Sequence, residues 1–412
     1  MRNLYISILV IVFAVLIPRF ESSASERRTY VKVAAGSLDR RETVVSFTLP
    51  KDLKAKSYAL RDESGGMISL QVDADRQAMF VLSELKAGAK KKYRLVEVKA
   101  HAIEERDVHV FMVSDRLSDE ITIDVAGRQA FGYQGRAGIF LPNGVKEIFR
   151  RGGYIHPVHT PLGVRITDDY PPDHYHHHGI WAAWTKTEFE GRHPDFWNVG
   201  DGTGKVECVA IDKIWSGAVN GGFTSSQRYI DLSGSKPTTV LNEEWKVIVY
   251  NVGLEDKPYS MFDVITTQRC ATSSPLVLPE YRYGGVGFRG NREWLEKDNC
   301  FFLTSEGKDR SNGHGTRARW CHIGGRIGGL LAGIAVLDHP ANFRAPQPMR
   351  INPDQPFFCY SPSLMGQWEI TPGKPYVSRY RFIVYDGGPD KAELDRLWND
   401  YANPPQVAIT VE

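Results

Sequence analysis

The sequence predicts a mainly β protein: a small N-terminal β-sandwich, then a large antiparallel sheet assembly, with one C-terminal helix. Three observations predict it. Short alternating apolar and polar segments recur along the chain, each bounded by turn residues. Glycine (38 residues) and proline (23 residues) are plentiful while long amphipathic repeats are scarce, which favours strands joined by turns. Helical periodicity is convincing only from Asp390 to Tyr401, where Leu394, Leu397 and Trp398 share a face.

The N-terminus reads as a secretory signal. Arg2 supplies the positive end, Leu4 to Ile17 an apolar core, and Ser22, Ser23 and Ala24 the small residues of a cleavage site. The expected mature chain starts near Ser25 and is secreted or periplasmic. No later segment reaches the ~18 consecutive apolar residues of a membrane helix, so no membrane association is expected after signal cleavage.

Residues 25–116 read as a small sandwich of immunoglobulin type, with strands at Val44 to Leu49, Ile68 to Val72, Ala78 to Leu82 and Tyr93 to Val98. Lys90, Lys91 and Lys92 are expected in a solvated turn. Residues 117–412 form the large domain. Its strands begin at Glu120 to Asp124 and continue through Lys205 to Trp215, Phe223 to Asp231, Glu243 to Tyr250 and Met261 to Thr267. A buried strand from Ile327 to Asp338 follows, and Tyr376 to Tyr385 is read as the last strand. The glycine-rich run from Gly284 to Gly290 lacks the Gly-Lys-Ser/Thr ending of a phosphate loop, so its glycines are assigned to a bulge or close backbone approach.

The chain has 412 residues and a formal net charge of +2 with both signs mixed, so no basic stripe points to nucleic acid. Five cysteines lie far apart with no Cys-x-x-Cys pair, which excludes a zinc ribbon and favours buried free thiols over a disulfide framework.

Chemistry concentrates between Tyr154 and Trp197. Seven of the 12 histidines lie there: His156, His159, His174, His176, His177, His178 and His193. Pro171 and Pro172 forbid helix just before the main cluster, and Gly179 opens the apolar run Ile180 to Thr185, read as a buried strand. If the histidines are already extended, His174, His176 and His178 share one face and His177 points the other way. Two functional readings follow. His174, His176 and His178 with Asp173 could bind a divalent metal, zinc, copper or iron, since imidazole suits these ions and a carboxylate would complete the set. Alternatively, histidine acts as general acid or base on a polar substrate, with Tyr170, Trp181 and Trp184 stacking on a sugar ring. The structural alternative is that several histidines only satisfy turn backbone. A second polar knot, Asp338-His339-Pro340-Ala341-Asn342-Phe343-Arg344, follows the later buried strand and could contact hydroxyls or a carboxylate.

The motifs YIHPVHTPLGV, DYPPDHYHHHGIW, RYGGVGFRG and DHPANFRAP, in that order, resemble a family of exported bacterial proteins named "methane oxygenase PmoA-like". The resemblance spans Tyr133 to Tyr401, and the matching positions include His156, His159, Asp173, His174, His176, His177, His178, Arg282, Asp338, His339, Asn342 and Arg344. It implies a β-supersandwich related to galactose mutarotase folds, and a protein that acts on or binds carbohydrate. The expectation is an exported carbohydrate-active enzyme of epimerase, lyase or hydrolase type. Its catalytic candidates are His176, His178 and His339. Its substrate-binding candidates are His156, His159, Trp181, Arg282, Asn342 and Arg344. A non-catalytic carbohydrate-binding protein and a metal-dependent oxidoreductase are the alternatives. The two polar knots are expected to meet in one cleft.

Overall fold

The computed structural model describes residues 28–53, 57–115, 118–137, 141–253 and 257–412; the proposed signal segment lies outside them. The fold is mainly β, with antiparallel sheets and, among the described residues, a single α-helix near the C-terminus.

The small sandwich packs a five-stranded sheet on a three-stranded one. In the first, Thr29–Ala34 sits between Lys90–Glu97 and the C-terminal strand Gln406–Val411. The second holds Arg40–Thr48, Gln77–Leu85 and Gln71–Val72. Alternation drives both: Val31 and Val33 of one sheet meet Val45, Phe80 and Leu82 of the other in a single core. Three expectations change here. The chain has one strand beyond Tyr376–Asp386, and it returns to the small sandwich. The strand Val108–Ser114, before residue 117, pairs with Asp119–Val125 and so belongs to the large assembly. Lys90 to Lys92 open a strand rather than a turn, because ladder pairing to Thr29–Ala34 takes up their backbone.

The large assembly is two eight-stranded sheets face to face. One carries Tyr154–Val158, Ile180–Ala183, Gly285–Arg289 and Phe357–Tyr360. The other carries Asn220–Asp231, Thr238–Tyr250, Tyr259–Cys270, Leu330–Asp338 and Tyr376–Asp386. Inward side chains of both make the main core; Phe131 meets Phe262 at 4.7 Å and Tyr133 meets Phe223 at 4.5 Å. Trp245, Val247 and Val249 share the buried face, as their spacing predicts. The run expected as one strand from Ile327 is a hairpin, since Gly328 and Gly329 take positive φ (55° and 83°) and reverse the chain before Leu330.

Strand period decides what lies outside this core. Ile180 and Ala182 point into it, whereas Trp181 and Ala183 join a second, aromatic-rich cluster with Trp184, Trp197 and Phe357. The outer face of the other sheet is covered by the helix Lys391–Ala402, capped by Asp390, through Leu394 and Leu397 against Trp320, Leu337 and Ile383. All five cysteines are free, and only Cys270 is not fully buried.

Candidate functional site

The histidine segment is turned, not extended. His174 N–H donates to the Pro171 carbonyl and His177 N–H to the His174 carbonyl, both at 2.9 Å, making two successive tight turns after the proline pair. The expected grouping of faces therefore fails. His174, His176 and His177 come together, with ring centroids 4.6 to 5.4 Å apart, and His178 turns away.

These rings edge an open cavity of ≈ 110 Å³. Its wall includes Arg282, Tyr283, Trp197, Phe357, Arg350 and Gln355. Trp181 is not in this wall but packs on two of its members, His177 at 5.0 Å and Trp197 at 4.8 Å; His177 also stacks on Phe357 at 5.0 Å. Gly287 is needed there, because a Cβ would come within 2.7 Å of the Trp197 ring.

Arg289, from the glycine-rich strand, anchors the turn. Its buried guanidinium donates to both oxygens of Asp173, at 2.7 and 2.9 Å, and approaches His177 Nδ1 at 3.4 Å. Asp173 in turn lies 3.1 Å from His174 Nδ1. Although burial opposes ionisation, the His174 and Arg289 contacts hold the Asp173 carboxyl below the usual carboxylate range. The carboxylate beside Nδ1 orients the His174 ring at the cavity edge. Gln355 Nε2 sits 3.0 Å from His174 Nδ1 and 3.4 Å from Nε2; Arg310 fixes its loop through the Asn352 and Gln355 carbonyls, at 3.0 Å each. His176 has no side-chain hydrogen bond among the described residues. Burial, then the charge of its histidine neighbours, pushes it down to about 3, so it is neutral near pH 7. Burial pushes His177 well below the ordinary histidine range.

Of the sequence candidates, the cavity gathers His174, His176 and Arg282, and Trp181 is buried against its lining residues His177 and Trp197. The others lie elsewhere. His178 is buried between Tyr154 and Tyr170, both at 4.6 Å, and its Nδ1 pairs with Asp169 at 2.7 Å. The ligand set His174, His176, His178 and Asp173 is thus not assembled; among the described residues no group of three or more His, Cys, Asp or Glu is placed to hold a metal ion. His156 bonds Thr167 at 2.9 Å, and His159 bridges Arg165 away from the cavity.

No residue of the second knot lines the cavity. His339 packs on Tyr401 of the C-terminal helix at 4.8 Å. Asn342 bonds Asp338 and the Arg379 carbonyl, both at 2.7 Å, and Arg344 clamps the Pro362 and Gly366 carbonyls at 2.7 and 2.8 Å. These are turn-building contacts.

Residues 120–399 match the model of DUF6807, described as a family of unknown function. The chain belongs to DUF6807. A comparison with curated proteins gave no match. Among solved structures, this DUF6807 chain is similar to a protein in the glycosyl hydrolase family 38 from Enterococcus faecalis, at 8% identity and a TM-score of 0.46. That alignment covers 94% of this chain and 48% of the other, so the chain spans about half its length. The DUF6807 match contains every cavity residue from His174 to Phe357 and leaves out the small sandwich and its C-terminal strand.

Proposed function

We propose that the protein is an acid–base enzyme acting on a small carbohydrate-type substrate in the cavity, with His174 as base. The observation that carries this reading is the chain Arg289–Asp173–His174, in which an anchored carboxylate orients an imidazole at the cavity edge. His176, neutral and with no side-chain hydrogen bond among the described residues, is available to a substrate hydroxyl. Tyr283, half-buried in the wall with Trp197 and Phe357 packed against it, offers aromatic surface for a sugar ring, and Asn352 and Gln355 offer amides for its hydroxyls. The described lining holds no Asp or Glu, whereas glycoside hydrolysis ordinarily uses two carboxylates flanking the bond. Proton abstraction, as in epimerisation or elimination, suits these residues better than hydrolysis.

The test is a turnover screen of the purified protein over a sugar and glycan panel. A substrate should emerge whose turnover falls about 10²- to 10⁴-fold in His174→Gln with folding unchanged. Binding across the panel without turnover would instead make this a carbohydrate-binding protein.

Export is proposed on the apolar run Leu4 to Ile17 and the small residues Ser22 to Ala24. N-terminal sequencing of protein recovered outside the cytoplasm should begin near Ser25; a chain still starting at Met1 would overturn this.

A further inference from the structure

The cavity holds two cationic donors that are unpaired. Arg282 and Arg350 line it, and neither side chain makes a hydrogen bond or ion pair among the described residues. Arg282 lies on the rim against Tyr281 and Tyr283, at 6.0 and 5.7 Å from the ring centroids. Arg350 is half-buried, and its Nε–H is buried without a partner. The Trp197 indole N–H, also in the wall, is likewise buried and unpaired. Asp173, the nearby carboxylate, is already engaged by Arg289.

Burying donors without acceptors is unfavourable, and two guanidiniums sharing one cavity repel each other. Burial and then Arg282 both act to lower the affinity of Arg350 for its proton, so the two charges are felt together. An acceptor-rich, negatively charged ligand would relieve both costs at once. A planar carboxylate matches a guanidinium fork, offering two oxygens to parallel N–H donors. A bare inorganic anion would leave the half-buried Tyr283 ring beside Arg282 unused; a carboxylate carried on a sugar ring would use both.

Resting on the carbohydrate reading above, we infer that the cavity takes a sugar acid, its carboxylate held by Arg282 and Arg350 and its ring laid on Tyr283. A carboxylate beside the carbon that loses a proton also gives the developing negative charge a stabilised place to go.

Isothermal titration of the full mature chain tests this. The probes are glucuronate, galacturonate and mannuronate, each against its neutral hexose, with sodium sulfate as the inorganic anion. At least one uronate should bind tenfold or more tightly than its hexose and than sulfate, and its affinity should fall with added salt. Arg282→Gln and Arg350→Gln should each weaken it tenfold or more; Arg282 is exposed, so that variant does not threaten the fold. Equal affinity for uronate and hexose, sulfate binding as tightly as the uronates, no binding by any uronate, or affinity untouched by both variants would each overturn the inference. Arginine-dependent uronate binding without turnover would uphold it while removing the acid–base reading. Turnover of neutral sugars with no uronate preference would do the reverse.

Discussion

Arg289 Nη2 donates to both carboxylate oxygens of Asp173, at 2.7 and 2.9 Å, and so ties the histidine turn to a central strand of the first sheet. The two partners differ in solvation: the Arg289 side chain is 0% exposed and that of Asp173 is 29% exposed. Removing the carboxylate therefore strands a charge in the interior, whereas removing the arginine leaves a carboxylate that water can reach. Asp173→Ala should cost about 3–5 kcal/mol, and Arg289→Met distinctly less. The double variant should be more stable than Asp173→Ala alone. Urea-unfolding midpoints of the three variants check the order; equal losses would mean the pair does not anchor the turn.

Neighbouring histidines should respond in opposite ways. His178 fills a slot between two tyrosines and pairs with Asp169, which also accepts from Tyr154 at 2.9 Å. His178→Ala leaves a cavity and unpaired polar groups, and should lower stability by about 2 kcal/mol or more. His176 makes no side-chain hydrogen bond, so His176→Ala should cost no more than about 1 kcal/mol. Chemical denaturation decides, and a large loss for His176→Ala would turn the cavity face of the loop from functional to structural.

The fold was largely legible because strand period survives in single sequences: Trp245, Val247 and Val249 alternate in sequence and share one buried face. The proline pair and Gly179 likewise located the loop feeding a buried strand. What escaped depends on pairings between distant residues. Gln406–Val411 is short, and only its pairing with Thr29–Ala34 makes it part of the small sandwich. The facing of the histidines followed from two turns that the prolines permit but do not specify. Arg289 was hidden in a run read only for its glycines, and Arg350, Asn352 and Gln355 in a segment that reads as loop; their polar residues flanking Phe357 were the available signal.

Several histidines are buried in the neutral form, which sets an acid limit on stability. Burial lowers His156 to about 4 and both His176 and His322 to about 3. Below the ordinary histidine value near 6.5 the unfolded chain takes up protons that the folded chain refuses, so stability falls as pH drops from about 6.5 towards these folded values. His322, 2% exposed, should contribute a slope of about 1.4 kcal/mol per pH unit in that window. His322→Gln keeps an acceptor for the Tyr385 hydroxyl, now 2.7 Å from Nδ1, and should flatten the profile between pH 6 and 4 by that amount. Urea titrations across the range test it; an unchanged slope would show that His322 protonates freely in the folded protein.

Glu243 sets a dependence of the opposite sign. It lies inside the large assembly, 2% exposed, accepting from Gln268 at 2.7 Å and Tyr229 at 3.3 Å. Burial raises it from 4.5 to about 7, against the opposing pull of these hydrogen bonds and of Arg151. Because the folded value lies above the unfolded one, its contribution is fully present below about pH 4.5 and is lost as pH rises through about 7. Over that gap the loss amounts to about 3 kcal/mol. In wild type the histidines gain stability over much of the same range, so the sum hides the effect. The difference between Glu243→Gln and wild type isolates it. Gln cannot ionise, and at low pH it should match or slightly trail the protonated Glu. As pH climbs from 4.5 to 7.5 the variant should gain on wild type by about 3 kcal/mol, read as a growing separation of urea midpoints in its favour. A separation constant with pH would mean that Glu243 is ionised throughout, stabilised by Arg151 more strongly than its burial opposes.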